Sequence, residues 1–406
     1  MKRRRSPRNF KSLLLGTALL AVLSSAQGAG YYSTAPGPTV TMQVGRPTLV
    51  WRIFPEVDSA VLDAAMTIND VLVQPGFSRE WGALTFTPAQ PLPPGPYVVR
   101  CRVQVGNARA AVTQEKEWSF RVAENAVLSL PALNAQQREA LDTANGLRRK
   151  LGLPLFRSDL RLCASSSAHC SYLKTNRVDG HDEVPGKPGF TGARPHERIQ
   201  AFDYPSLSSS EDVIHQSPGT LVPAEAVQKL FDAPYHREPF LDPGLEDFGS
   251  GILEGYGTLN FGSLRPLYTG PPRILLYPLP GQKEIPTRFN GGEVPDPLRM
   301  HGVKAPTGYV ISYFLFTAGT PVIQVAGAQL TKADGTPVPI LLNTPANDDK
   351  LTNGAFLIPR DPLQPNTRYV ATIQASSSGV NLSRTWSFTT GDDEGKPKPP
   401  ASDKGQ

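Results

Sequence analysis

Leu84-Thr85-Phe86-Thr87-Pro88, then Pro91-Leu92-Pro93-Pro94-Gly95-Pro96-Tyr97-Val98-Val99, then Trp118-Ser119-Phe120 is a pattern the chain writes twice. The second copy runs Phe356-Leu357-Ile358-Pro359, Pro362-Leu363-Gln364-Pro365-Asn366-Thr367-Arg368-Tyr369-Val370 and Trp386-Ser387-Phe388-Thr389-Thr390. Each copy reads as a strand, a proline-stiffened turn, an alternating strand that starts at tyrosine, and a last strand with Trp-x-Phe on one face. Thr48-Leu49-Val50-Trp51-Arg52-Ile53 adds a strand ahead of the first copy. Two β-modules follow, at residues 31–124 and 273–390, in which Tyr97, Trp118, Tyr369 and Trp386 pack the cores. A β-module of this kind by itself implies no activity.

Outward from the repeat, 406 residues exceed what one hydrophobic core serves. The 41 prolines, about twice ordinary usage, argue against a helical bundle. Lys2, Arg3, Arg4, Arg5, Arg8 and Lys11 precede the apolar run Leu13–Leu23 and then small residues, which is the grammar of a signal peptide over residues 1–28. The run is far shorter than the roughly 20 residues that span a bilayer, so no transmembrane segment is expected in the mature chain. The signal carries six of the 41 basic residues and none of the 36 acidic ones, leaving 35 − 36 = −1 without it. The basic balance is therefore no nucleic-acid footprint. Residues 391–406 are polar and proline-rich, and are expected to be disordered.

Between the β-modules the period changes to helical. A helix opens at Asn134 and runs to Lys150, a second spans about Ser158 to Thr175, and a third spans Pro223 to Phe231, with strands after it. Cys163 and Cys170 lie seven apart on the second helix, about 10 Å along its axis, too far for a disulfide. With Cys101 in another segment, three free, mostly buried thiols are the expectation, with one interdomain bridge as the alternative. Five of six histidines fall in this middle region. His196-Glu197-Arg198-Ile199-Gln200 begins like a zinc-protease helix and fails at Gln200. His169 reads as a packed or surface residue, and His215 has no evident partner.

His181 and His236 stand in fuller contexts. In order the chain reads Gly146-Leu147-Arg148-Arg149-Lys150-Leu151-Gly152-Leu153-Pro154-Leu155, Gly180-His181-Asp182-Glu183, Gly189-Phe190-Thr191-Gly192-Ala193-Arg194-Pro195-His196-Glu197-Arg198, Ser210-Glu211-Asp212-Val213-Ile214, Ala233-Pro234-Tyr235-His236-Arg237 and Phe248-Gly249-Ser250-Gly251. This series resembles the bacterial form of the CAP superfamily, the cysteine-rich secretory, antigen 5 and pathogenesis-related group, also called SCP, over residues 133–265. The resemblance implies an α-β-α sandwich whose cleft holds two histidines and acidic partners, and in some members a divalent metal. His181 matches the first histidine, Glu211 the glutamate of the Glu-Asn motif with Asp212 in place of asparagine, and His236 the histidine of the His-Arg motif. Glu183 or Glu225 would supply the second acid.

The expected fold is thus α+β and multidomain, with a central α-β-α sandwich between two all-β modules that resemble the immunoglobulin-like sandwiches of bacterial surface proteins. The expected cleft is His181, Glu183, Glu211 and His236. Its two imidazoles and carboxylates suit zinc or another divalent metal with an open position, and suit equally a hydrogen-bonded quartet. There is no Gly-x-Ser-x-Gly nucleophile turn. The function expected is a secreted or envelope protein, leaning away from an enzyme, that binds a peptide, lipid or glycan, or a divalent metal, and no nucleic acid. A hydrolase, metal-assisted with Glu211 or Glu183 as base or using the His181 and Glu211 pair without metal, and a structural envelope protein, are the alternatives. N-terminal sequencing of the exported protein is expected to find a new terminus between Ala26 and Gly30; a chain starting at Met1 would contradict the signal reading.

Overall fold

In the computed structural model, the described residues are 31–392, apart from 57, 217–220, 266, 267, 269 and 320. The expected signal segment and residues 393–406 of the expected tail lie outside them. The chain divides into two compact units, one ending at Ala126 and the other starting at Val127.

The first unit is built from strands β1 (Tyr31–Ser33), β2 (Thr41–Val44), β3 (Leu49–Pro55), β4 (Ala60–Ile68), β5 (Val71–Val73), β6 (Gly76–Ser78), β7 (Ala83–Phe86), β8 (Gly95–Gly106) and β9 (Ala111–Val127). They form two sheets, in the orders β1-β3-β7-β6 and β2-β9-β8-β4-β5. Val99, Cys101, Val103 and Val105 on β8 are buried, while Arg100 and Arg102 between them are exposed, the alternation of a sheet with one face inward. The repeat is the same strand pair in both places. Tyr97 faces Phe120 with ring centroids 5.2 Å apart, and Tyr369 faces Phe388 at 5.7 Å. In each copy the tyrosine hydroxyl bonds the preceding turn, to Pro93 O at 2.7 Å and from Gln364 N at 2.8 Å. Trp118 and Trp386 are buried beside these pairs, and Tyr97 is half-buried.

The second unit begins with α1 (Ala135–Lys150), started by a capping box between Asn134 and Gln137. After β10 (Arg157–Ser158), Asp159 caps α2 (Leu160–Asn176). Then come α3 (Pro195–Ala201), β11 (Ser208–His215), α4 (Pro223–Asp232), α5 (Glu238–Leu241), β12 (Asp247–Leu253) and β13 (Tyr256–Ser263). The sheet order is β10-β12-β13-β11, with only β10 parallel to its neighbour. Helices cover both faces: α2 and α3 pack on one side, and α1, α4 and α5 on the other, so the middle strand β13 is buried along its whole length. The close approach of α2 to β12 needs glycine. A Cβ on Gly249 would lie 2.3 Å from the backbone of Leu162 and Cys163, and one on Gly251 would lie 2.6 Å from that of Ser166.

Downstream, strands Arg273–Tyr277, Ile311–Phe316, Gly354–Pro359 and Ile340–Asn343 form one antiparallel sheet in that order. Pro337–Val338, Gln324–Lys332, Arg368–Ser377 and Val380–Asn381 form another, with Arg384–Thr389 paired to Arg368–Ser377. Residues 133–265 and 273–390, read from sequence as distinct modules, lie in one unit and share one core. That core runs from Leu147, Phe231, Phe240 and Phe261 to Tyr277, Phe314, Phe356 and Trp386. Phe231 packs edge-on against Tyr277 at 4.7 Å.

All three cysteines are free and buried. Burial pushes the Cys101 and Cys170 thiols up to about 12, and Cys163 is raised for the same reason. Gly249→Ala is expected to cost roughly 1–3 kcal/mol, because the clash is with backbone that no rotamer change relieves; urea denaturation of the variant against wild type measures it.

Candidate functional site

β11 determines the layout of the site. Successive residues of a strand point to opposite faces, and both faces of this sheet are covered, so Glu211 and Asp212 are each buried against different helices.

Glu211 looks toward α2 and α3. Arg198 Nη2 donates to both its carboxylate oxygens, at 2.6 and 2.8 Å, and His181 Nδ1 donates to Oε1 at 3.1 Å. Burial works to raise the Glu211 pKa, but the Arg198 guanidinium, the His181 hydrogen bond and the His169 and His181 charges outweigh it and bring it to about 2. Glu211 is therefore a permanent carboxylate near neutrality.

Glu183 lies in the same network, though on different partners. Its Oε1 meets His169 Nδ1 at 2.9 Å, and its Oε2 accepts from the Thr191 backbone N–H at 2.7 Å and Thr191 Oγ1 at 3.3 Å. The other nitrogen of His169, Nε2, faces Gly180 O at 3.0 Å. His169 is thus a two-ended tie between α2 and the loop that carries His181, and Glu183 pins the far end of that loop. Glu183, Glu211, His169 and Arg198 are all buried. Only His181 reaches water, with 41% of its side chain exposed. Glu225, the other candidate acid, forms a surface pair with Lys229 on α4. His196 is exposed, and His215 stacks on Tyr256 and pairs with Asp179.

His236 belongs to the opposite face. It follows α4, and its Nδ1 donates to Glu293 Oε1 at 2.9 Å. Burial works against charging His236, but the Glu293 hydrogen bond and the Asp212 and Glu293 charges prevail, so its pKa lies above the ordinary 6.5. Asp212, on the same side, is pushed up to about 8: burial and the Glu293, Glu211 and Glu238 carboxylates outweigh the His236 charge. Asp212 Oδ2 and Glu293 Oε2 are buried without a protein hydrogen-bond partner.

The structure thus brings His181 to Glu211, links Glu183 to them through His169, and sets His236 on the other side of the strand. A metal shared by His181 and His236 does not fit this donor set. The two imidazoles lean on opposite faces of β11, and Glu211 and Glu183 are saturated by Arg198, His181, His169 and Thr191. Among the described residues no group of three or more His, Cys, Asp or Glu side chains is arranged to hold a metal ion. His169, Arg198 and Glu293 are the members that sequence reasoning missed. His169 falls on the buried stripe Leu162, Ser166, His169, Leu173 of α2, and that spacing marks it; Arg198 sat inside a quoted motif.

Removing the Glu211 charge tests the network. Its folded pKa is depressed, so its stabilisation is present above the unfolded value near 4.5 and is lost as pH falls toward 2. Glu211→Gln is expected to cost about 3 kcal/mol at pH 7, because Arg198 is left buried without its anion. In urea titrations the gap to wild type is expected to narrow steadily below about pH 4.5.

The sequence model described as CAP, cysteine-rich secretory protein family, matches residues 141–263. Among solved structures, the chain is similar to an extracellular protein containing an SCP domain from Bacillus anthracis strain Ames, at 14% identity over 64% of this chain and 99% of that one, TM-score 0.28. It is similar also to an outer surface protein from Borrelia burgdorferi, at 18% identity over 33% of this chain and 98% of that one, TM-score 0.27. A cysteine-rich secretory protein from Staphylococcus aureus matches at 8% identity over 60% and 88%, TM-score 0.24. Overlays this loose carry no argument. A search of curated proteins finds no match. No helix among the described residues is long and apolar enough to cross a membrane. The sequence match, falling on the segment that carries His181, Glu211 and His236, makes residues 141–263 a domain of the cysteine-rich secretory protein (CAP) family.

Proposed function

We propose that this chain is an exported protein of the cell envelope or extracellular space that takes a ligand at the His181 face of its CAP domain, where Glu211 orients His181 and does not itself transfer a proton. The observation that carries this reading is the state of Glu211. A general base near neutrality needs a carboxylate with affinity for a proton, and a general acid needs a proton to give. Glu211, paired with Arg198 and held at about 2, meets neither need. Glu183 is spent on His169 and Thr191, and among the described residues no group of three or more His, Cys, Asp or Glu side chains is arranged to hold a metal ion. A half-exposed imidazole, oriented by a buried anion, is suited to offering one hydrogen bond to a ligand.

The ligand classes consistent with one polar contact on a CAP surface are a peptide, a lipid or a glycan. The β-rich segments that precede and follow the domain in the chain present it at the envelope. The leader over residues 1–28 supports export.

Purified full-length protein is expected to turn over nothing above background in a panel of peptides and esters. On peptide, lipid and glycan arrays it is expected to give a signal that His181→Ala removes with no change in melting temperature. Turnover that disappears in a folded Glu211→Gln variant would overturn the proposal.

A further inference from the structure

Tyr235, His236 and Arg237 are consecutive, and the side chain of each is held by a different group from beyond residue 290. Glu293 Oε1 accepts from the Tyr235 backbone N–H at 2.7 Å, the His236 backbone N–H at 3.2 Å and His236 Nδ1 at 2.9 Å. Tyr235 Oη donates to Asp348 Oδ2 at 2.5 Å and accepts from Arg299 Nη1 at 2.6 Å. Arg237, with no exposure, donates to Val310 O at 2.9 Å, Ser312 Oγ at 2.7 Å and Tyr309 Oη at 3.0 Å. Its guanidinium lies 4.8 Å from the Tyr277 ring centroid.

We infer that this tripeptide is an internal docking plug and that Glu293 is its clasp, so that His236 joins the CAP domain to the C-terminal sheets and does not coordinate a metal with His181. The geometry supports this in three ways. Three donors converge on one oxygen of a carboxylate whose side chain is 1% exposed, and charge-assisted bonds in such surroundings are the strong ones. Neither Tyr235 nor Arg237 has a role in holding an ion, yet both bind the same downstream segment. A shared core accompanies the polar contacts, joining Phe231 and Phe240 to Tyr277, Phe314 and Phe356. The inference does not depend on whether His181 receives a ligand.

The test uses the full chain as wild type, His181→Ala, Glu293→Gln, His236→Gln and the Glu293→Gln/His236→Gln double variant, each titrated with zinc chloride by calorimetry and unfolded in urea. Wild type is expected to show no stoichiometric zinc binding. Each of the Glu293→Gln and His236→Gln variants is expected to raise the unfolding constant by about tenfold or more. The double variant is expected to fall well short of the product of the two, since both changes break one bond. Glu293→Gln keeps an oxygen for the backbone N–H groups and so preserves the turn. One zinc per chain, lost in both His181→Ala and His236→Gln, would overturn the inference. So would single effects that multiply, or none at all. Should the variants not fold, the wild-type zinc titration decides.

Discussion

The ion pair between Arg198 and Glu211 is the constraint on which the site depends. Two carboxylates, Glu183 and Glu211, are buried in one small volume, and uncompensated they would repel each other and lose their hydration. The guanidinium answers Glu211 directly and stands 3.8 Å from Glu183 Oε1 through Nε. With that charge settled, Glu211 can orient His181 and Glu183 can fasten residues 191 and 192. The loop from Gly180 to Arg194 carries no helix or strand, yet it is tied at Gly180, Glu183 and Thr191 to one buried ionic knot. Position of the imidazole thus derives from electrostatics two layers beneath it.

The same strand explains why neighbours in the sequence end as strangers in space. Glu211 and Asp212 share a peptide bond and have no common partner, because a sheet covered on both faces sends adjacent side chains into separate interiors. On one side the carboxyl is ionised and hydrogen-bonded; on the other, burial and the neighbouring carboxylates raise its affinity for a proton. The environment, and not the residue type, sets the chemistry of each.

Much of the architecture was legible beforehand. The tyrosine-to-phenylalanine pairing in both copies of the repeat follows from period-two alternation, and the three long helices followed from apolar spacing and from Asn134 and Pro223 at their starts. His181 with Glu211 was readable from motif order. The partnership of His236 was not, because Glu293 lies in an irregular segment with no periodicity to mark its burial. The joining of 133–265 to 273–390 was hidden for a related reason. Apolar residues on α4 and α5 announce that a face is covered, but they do not name what covers it. Arg198 was hidden by its surroundings: a broken zinc-protease pattern drew attention to His196, which is at the surface.

The buried cysteines bear on how such a chain fares in oxidising surroundings. With Cys101 and Cys170 near 12, only about one thiol in ten thousand is ionised at pH 8, and the thiolate is the form that attacks a disulfide. Cys170 is further engaged with Gly251 O and Thr258 Oγ1, both at 3.2 Å. Once folded, these buried thiols present little thiolate to an attacking disulfide, and the described residues are held by packing and buried ion pairs without a covalent cross-link.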